Sequence, residues 1–247
     1  RIDITAGTRY SFLRVAPSDQ LNLGFEMDWG MSLPIFMEAG GFDVLSVDGV
    51  FYFALAVRPT DWLALRFSRH HICTHAGDEL DRYQNGSSTI DFNNNIMMTM
   101  ASFVRDDYLI SAAIEPLFLL DGSGYPWDKV LRLYGDFSFY AFGEDLLGER
   151  LLKSSDHAYI WYQYGAELEL PIPWGNSGSL YGALNISHWQ QNAYAPNYSF
   201  EAGYILPSGK SGQRFRIGFV YYDGQSVQNN FNYRRERYTG FEFTIEK

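Results

Sequence analysis

Residues 21–33 read Leu21-Asn22-Leu23-Gly24-Phe25-Glu26-Met27-Asp28-Trp29-Gly30-Met31-Ser32-Leu33. Every odd position is large and apolar, and every even position is polar or glycine. On a helix this alternation would scatter around the circumference. On a strand, successive side chains point to opposite faces, so the stretch builds one apolar face and one polar face.

The same period recurs outward from this segment. Residues 2–12 set Ile2, Ile4, Ala6, Tyr10 and Phe12 against Asp3, Thr5, Gly7, Arg9 and Ser11. Residues 45–57 set Leu45, Val47, Phe51, Phe53, Leu55 and Val57 against Ser46, Asp48 and Tyr52. Segments 160–170 and 213–221 repeat the pattern, with weaker versions at 62–72, 96–104, 108–118, 131–142, 180–188, 198–205 and 236–245. The reading is about twelve strands. The leucines of 144–152 alone suggest a short helix, in a connection.

Strand length and the chemistry of the second face select the architecture. Soluble strands average about 5–6 residues, whereas a strand crossing a bilayer needs about 9–11. Most of these segments fall in the longer class. Their polar faces carry Glu26, Asp28, Asp48, Arg66, Glu115, Arg132, Asp136, Glu167, Glu169, Arg214, Arg216 and Glu242, which no sandwich core would accept. An apolar outside and a charged inside is the pattern of an outer-membrane barrel, and lipid demands closure because it offers no partner to an open sheet edge. The expectation is a single domain over 1–247, all-β, a closed antiparallel transmembrane β-barrel of about 12 strands in a bacterial outer membrane.

Composition is consistent with this reading. The chain has 19 Phe, 18 Tyr and 6 Trp, yet its mean hydropathy is only −0.22. A barrel resolves the contrast, because averaging mixes a greasy face with a charged one. The formal charge of −10 argues against nucleic acid as a partner. One cysteine excludes an internal disulfide framework. No basic leader followed by an apolar core opens the sequence, so the leader is either removed or outside it.

Acids and arginines share the inward positions with Tyr52, Trp62, Tyr134, Trp161 and Tyr181, which predicts a filled, cross-linked interior. Residues 15–20, 58–61 and 105–108 read as tight turns, and 34–43, 73–94 and 119–130 as long loops. On the rule that long loops face outward, these three loops lie outside, while the long connections 143–158 and 223–235 fall on the other side. This arrangement starts the first strand at the outer face.

One segment carries candidate chemistry: Arg69-His70-His71-Ile72-Cys73-Thr74-His75-Ala76-Gly77-Asp78-Glu79, with three of the five histidines and the single cysteine. Parity places Arg69, His71 and Cys73 on the lipid side and turns His70 inward. His71 and Cys73 share one strand face, about 6–7 Å apart along the strand, as a candidate general base and nucleophile. Asn94, opening the next strand, is the candidate orienting amide. His75, Asp78 and Glu79 form a candidate site for a divalent cation such as calcium. The structural alternative is that these groups tie down a loop at the interface.

The segment resembles an uncharacterised family of bacterial outer-membrane β-barrel proteins whose members carry H-x-S-S-H-x-G-D-E after a strand. His71, His75, Gly77, Asp78 and Glu79 match that motif, with Cys73 and Thr74 in place of its serines. Tyr222-Asp223-Gly224-Gln225-Ser226, followed by Arg234, Arg235, Glu236 and Arg237, matches the family's C-terminal layout. The resemblance implies an outer-membrane location and a longer N-terminus, but no activity. The His71–Cys73 pair more distantly resembles outer-membrane phospholipase A, a twelve-stranded barrel with a His-x-Ser pair.

Two functional expectations follow. The first is a non-enzymatic barrel, a structural or anchoring component of an envelope assembly or a narrow conduit, with outer-membrane lipids and envelope proteins as partners. The second is a lipid acyl hydrolase using His71 and Cys73.

Overall fold

The computed structural model describes residues 2–18, 21–38, 41–44, 46–76, 102–121, 130–142, 160–173, 178–207, 213–227 and 235–246. Its elements are β1 (Ile2–Val15), β2 (Asn22–Glu38), β3 (Gly41–Val44), β4 (Ser46–Thr60), β5 (Leu63–Ala76), β6 (Ser102–Ile114), the short helix α1 (Pro116–Asp121), β7 (Leu131–Phe142), β8 (Ile160–Pro171), β9 (Ser179–Trp189), β10 (Pro196–Ile205), β11 (Arg214–Gln225) and β12 (Arg235–Glu246). A three-residue 3₁₀ turn, Gln190–Asn192, joins β9 to β10.

The fold is all-β, one antiparallel sheet in the order β1-β2-β4-β5-β6-β7-β8-β9-β10-β11-β12, with β3 paired to the far end of β2. Every neighbour along this path is also the next strand in sequence, β3 aside. That economy is expected where hairpins make each pairing. β1 pairs with β2 and β12 with β11, and the described sheet does not close between them.

Eleven strands lie on the path where sequence periodicity predicts about twelve. The difference arises at 96–118. Arg105-Asp106-Asp107-Tyr108, read from sequence as a tight turn, lies inside β6. Adjacent acids favour turns, but in a strand they face opposite sides and each can find its own partner. The 105–108 turn is thereby corrected, and with it the sidedness of every later loop. The long loop expected at 34–43 is instead the hairpin of β2 and β3, and the loop expected from 73 starts only after Ala76, the end of β5. The links from β2 to β4, β5 to β6, β7 to β8 and β11 to β12 leave one end of the sheet, and the link from β6 to β7 leaves the other. The helix expected at 144–152 lies outside the described residues.

The alternation holds strand by strand. Phe51, Phe53 and Leu55 are exposed on one face, while Ser46, Asp48 and Ala54 are buried on the other. At Phe12-Leu13 two large apolar residues follow one another, and the pairing shifts between Ser11 and Leu13. A bulge of this kind adds a residue to one strand. It leaves both Phe12 and Leu13 on the exposed side and returns Arg14 to the polar one.

The sheet curls with its polar face inward. Arg214 on β11 reaches Glu169 on β8 at 2.7 Å, and Tyr181 on β9 reaches Glu242 on β12 at 2.8 Å. Each pair is three strands apart, about 14 Å on a flat sheet, and its side chains meet along the polar face. Two cavities of about 780 and 650 Å³ lie within the curl and share the wall formed by Arg132, Tyr134 and Glu167.

Candidate functional site

The registers of the first strands align one polar residue per strand into a row. Arg9 on β1 lies opposite Asp28 on β2, Asp28 opposite Tyr52 on β4, Tyr52 opposite His70 on β5, and His70 opposite Asp107 on β6. Contacts run along it. The Arg9 guanidinium donates to both Asp28 oxygens at 3.0 and 3.1 Å, and Arg66 from β5 donates to Asp28 at 2.7 Å. The Tyr52 ring stacks on His70 with centroids 4.2 Å apart.

Asp107 ends the row and is wholly buried. Its Oδ1 lies 2.9 Å from His70 Nδ1, and its Oδ2 accepts from Trp161 Nε1 on β8 at 2.9 Å and lies 2.7 Å from Arg105 Nε. Burying a carboxylate is unfavourable unless charge and hydrogen bonds compensate it. Here an arginine, an imidazole and an indole converge on one group. Trp161 also stacks on Trp189 at 5.1 Å, and Arg105 lies over the Trp189 ring.

With Nδ1 held by Asp107, the reactive lone pair of a neutral His70 is at Nε2. That atom is buried and lacks a hydrogen-bond partner among the described residues, as do Ser68 Oγ, Thr74 Oγ1 and Ser138 Oγ. Among the described residues no hydroxyl is bonded to Nε2, the base–nucleophile contact of a catalytic triad. The arrangement can accept a proton or hold water. It also locks five strands across the concave face.

On the opposite face the structure places His71 and Cys73 as parity predicts. His71 shares its side with Phe51, whose ring centroid is 6.2 Å away. Its Nδ1 lies 3.1 Å from Asp106 Oδ1 on β6, and Arg69 lies 3.4 Å from the same oxygen. Cys73 is half-buried beside Gly49 of β4, where a Cβ would meet its Sγ at 3.1 Å. The partner of His71 Nδ1 is thus Asp106; Asn94, expected as the orienting amide, lies outside the described residues. So do Asp78 and Glu79. His75 is exposed opposite Val47 and Ser102 at the end of the pairing. No group of three potential metal ligands forms among the described residues.

Sequence reasoning missed Arg105, Asp106 and Asp107. The available signal was alternation through 105–111, where Arg105, Asp107, Leu109 and Ser111 fall on one side. Two adjacent histidines on β5 meet two adjacent aspartates on β6, one pair on each face of the sheet. His188, the other described histidine, lies 2.8 Å through Nδ1 from the Tyr194 carbonyl and stacks on Tyr162.

No protein family, curated protein or solved structure matches this chain.

Proposed function

We propose that this chain is a non-enzymatic outer-membrane β-barrel that serves as a structural or anchoring component of an envelope assembly. The observation that carries the reading is the division of the sheet's two faces. Phe241, Phe243 and Ile245 are 90%, 62% and 58% exposed on the convex side. Such rows recur around the sheet, far more apolar surface than a soluble monomer presents. The concave side is bridged by Arg9–Asp28, Arg66–Asp28, Arg132–Glu167, Arg214–Glu169 and Arg216–Glu246. A bilayer accounts for the first face, and a polar lumen for the second.

The cross-linked lumen wall supports a rigid anchor. Tyr134 and Tyr181 reach across the concave face to Asn185 and Glu242, and Gln163 donates to Asp136 at 2.6 Å. Fractionation of Gram-negative envelopes tests the location, with the outer-membrane fraction expected. Purification in mild detergent tests the anchor, with stoichiometric envelope partners expected. Recovery from the soluble fraction overturns the proposal, and a strictly solitary barrel removes the anchoring role.

A specific observation supports a second reading, lipid acyl hydrolysis at the convex wall. The His71–Asp106 contact is the base–orienter pair that a His-dependent nucleophile needs, and Cys73 follows two residues along the same face. Assays on phospholipid and lipopolysaccharide, with and without calcium, test it. Hydrolysis that survives His71→Ala removes this assignment.

A further inference from the structure

The convex face of the β11–β12 hairpin changes character along the strands. On β12 the exposed positions run Arg235, Arg237, Thr239, Phe241, Phe243 and Ile245. The β11 residues opposite the last five repeat the order, from Asp223 through Tyr221 to Phe219, Ile217 and Phe215. On both strands a charge comes first, then a hydroxyl, then an apolar run.

The charged end is a built cluster. Asp223 Oδ1 accepts from Arg235 Nε at 2.9 Å and lies 2.7 Å from its Nη2. Asp223 Oδ2 accepts from Arg237 Nε at 2.8 Å and lies 2.6 Å from its Nη2. Two guanidiniums are thus held by one carboxylate, and the Nη1 group of each takes no part in these contacts. The Asp223 side chain is only 10% exposed, whereas that of Arg237 is 72% exposed. Alternation sends Glu236, the acid between the two arginines, to the other face, where Ser226 donates to it at 2.8 Å. The convex cluster therefore brings together two positive charges and one negative charge.

This inference rests on the outer-membrane reading above. The β11–β12 link leaves the same end of the sheet as the links from β5 to β6 and from β7 to β8, the two longest in the chain. Long loops face outward in such barrels, so on that reading the cluster stands at the outer border of the apolar band. We propose that Arg235, Arg237 and the phenylalanine wall beside them bind lipopolysaccharide, with a lipid phosphate on the two guanidiniums and acyl chains along Phe219, Phe241 and Phe243.

The order of the chemistry along the strand selects this occupant. Phe241 follows Arg237 by four residues, about 13 Å, so the ligand must be anionic at one end and hydrocarbon within that distance. A soluble anion uses only the arginines, and an apolar protein segment uses only the phenylalanines. The planar guanidinium fork matches phosphate oxygens. A zwitterionic phospholipid carries its own ammonium beside its phosphate, which competes with the arginines. The phosphates of lipopolysaccharide have no such internal counter-charge, and that lipid occupies the outer leaflet. Thr239 and Tyr221 set hydroxyls at the boundary, where polar tips of amphipathic side chains meet headgroups. Asp223 is a positioning residue, since it fixes the two forks side by side without touching the lipid.

Binding of lipopolysaccharide to the full-length protein in mild detergent, followed by native mass spectrometry, tests the proposal. Wild-type protein is expected to bind the intact lipid, and Arg235→Gln/Arg237→Gln to bind it about tenfold more weakly, as loss of a charge-assisted contact predicts. Lipopolysaccharide stripped of its phosphates is expected to bind wild type equally weakly, an arm that needs no variant to fold. Asp223→Asn removes the same ion pairs as the double variant but keeps both cations, so its binding is expected to match or exceed that of wild type. Loss of binding in Asp223→Asn equal to the loss in the double variant shows that the cluster only braces the hairpin, and overturns the proposal. So does equal affinity for the dephosphorylated lipid. Displacement of the lipid by an equal concentration of inorganic phosphate marks a free-anion site, and preferred binding of phosphatidylethanolamine or phosphatidylglycerol marks another lipid; either result also overturns it. Each of these failures, in protein recovered from the outer-membrane fraction, leaves the barrel reading standing. Recovery from the soluble fraction removes both.

Discussion

The Tyr181 hydroxyl on β9 donates to the Glu242 carboxylate on β12 at 2.8 Å, across two intervening strands. Gly203 and Gly218 make this possible. Tyr181 lies opposite Gly203, Gly203 opposite Gly218, and Gly218 opposite Glu242. The phenol lies along the row over both glycines. Arg216 sits over its ring, 5.2 Å from the centroid. Tyr134 repeats the device over Gly165 to reach Asn185 at 2.9 Å.

Filling this row displaces the tyrosine. A Cβ at Gly218 would lie 2.0 Å from Tyr181 Oη, whereas a Cβ at Gly240 meets nothing within 4 Å. Gly218→Val is expected to destabilise the protein by about 1–3 kcal/mol through overpacking, and Gly240→Ala to change stability little. Urea unfolding in detergent micelles compares the two. Equal midpoints would show that Tyr181 does not depend on the bare glycines.

Ion pairs on the concave face are expected to differ in weight according to burial. Asp107→Leu withdraws the carboxylate on which Arg105, His70 and Trp161 converge, and should cost about 3–5 kcal/mol. Glu167→Gln breaks the Arg132 pair, in which both side chains are nearly half exposed, and should cost about 0–1 kcal/mol. Unfolding midpoints of the two variants, measured side by side, check the ranking. A reversed order would mean that the Asp107 cluster is not the anchor of the row.

The convex face provides a direct test of the bilayer. Phe53 is about half exposed in the middle of β4. In a membrane barrel, Phe53→Arg should destabilise by about 2–4 kcal/mol at the bilayer midplane and less toward the interfaces. Refolding into lipid vesicles measures this effect. A variant that becomes more soluble and no less stable in plain buffer would point to an aqueous sheet instead.

Conductance distinguishes the anchor from the conduit. As an anchor, the wild-type protein in planar bilayers is expected to be silent. Steady single-channel steps from a homogeneous preparation would establish a conduit.

The period-two alternation made the strands, their two faces and the inward turn of His70 legible in the sequence, because burial of one face is a local rule that each segment obeys alone. The miscounted strand at 96–118 shows its limit. Asp106-Asp107 has the composition of a turn, and only partners brought by the sheet, His70, His71 and Arg69 on β5 and Trp161 on β8, make an extended pair of acids favourable there. The register that aligns Arg9, Asp28, Tyr52, His70 and Asp107, and the row from Tyr181 to Glu242, belong to the tertiary structure. Alternation says which face a side chain takes, but a strand can slide by two residues without changing it. Which residues meet across strands is settled by how neighbouring strands pair and how the sheet curls.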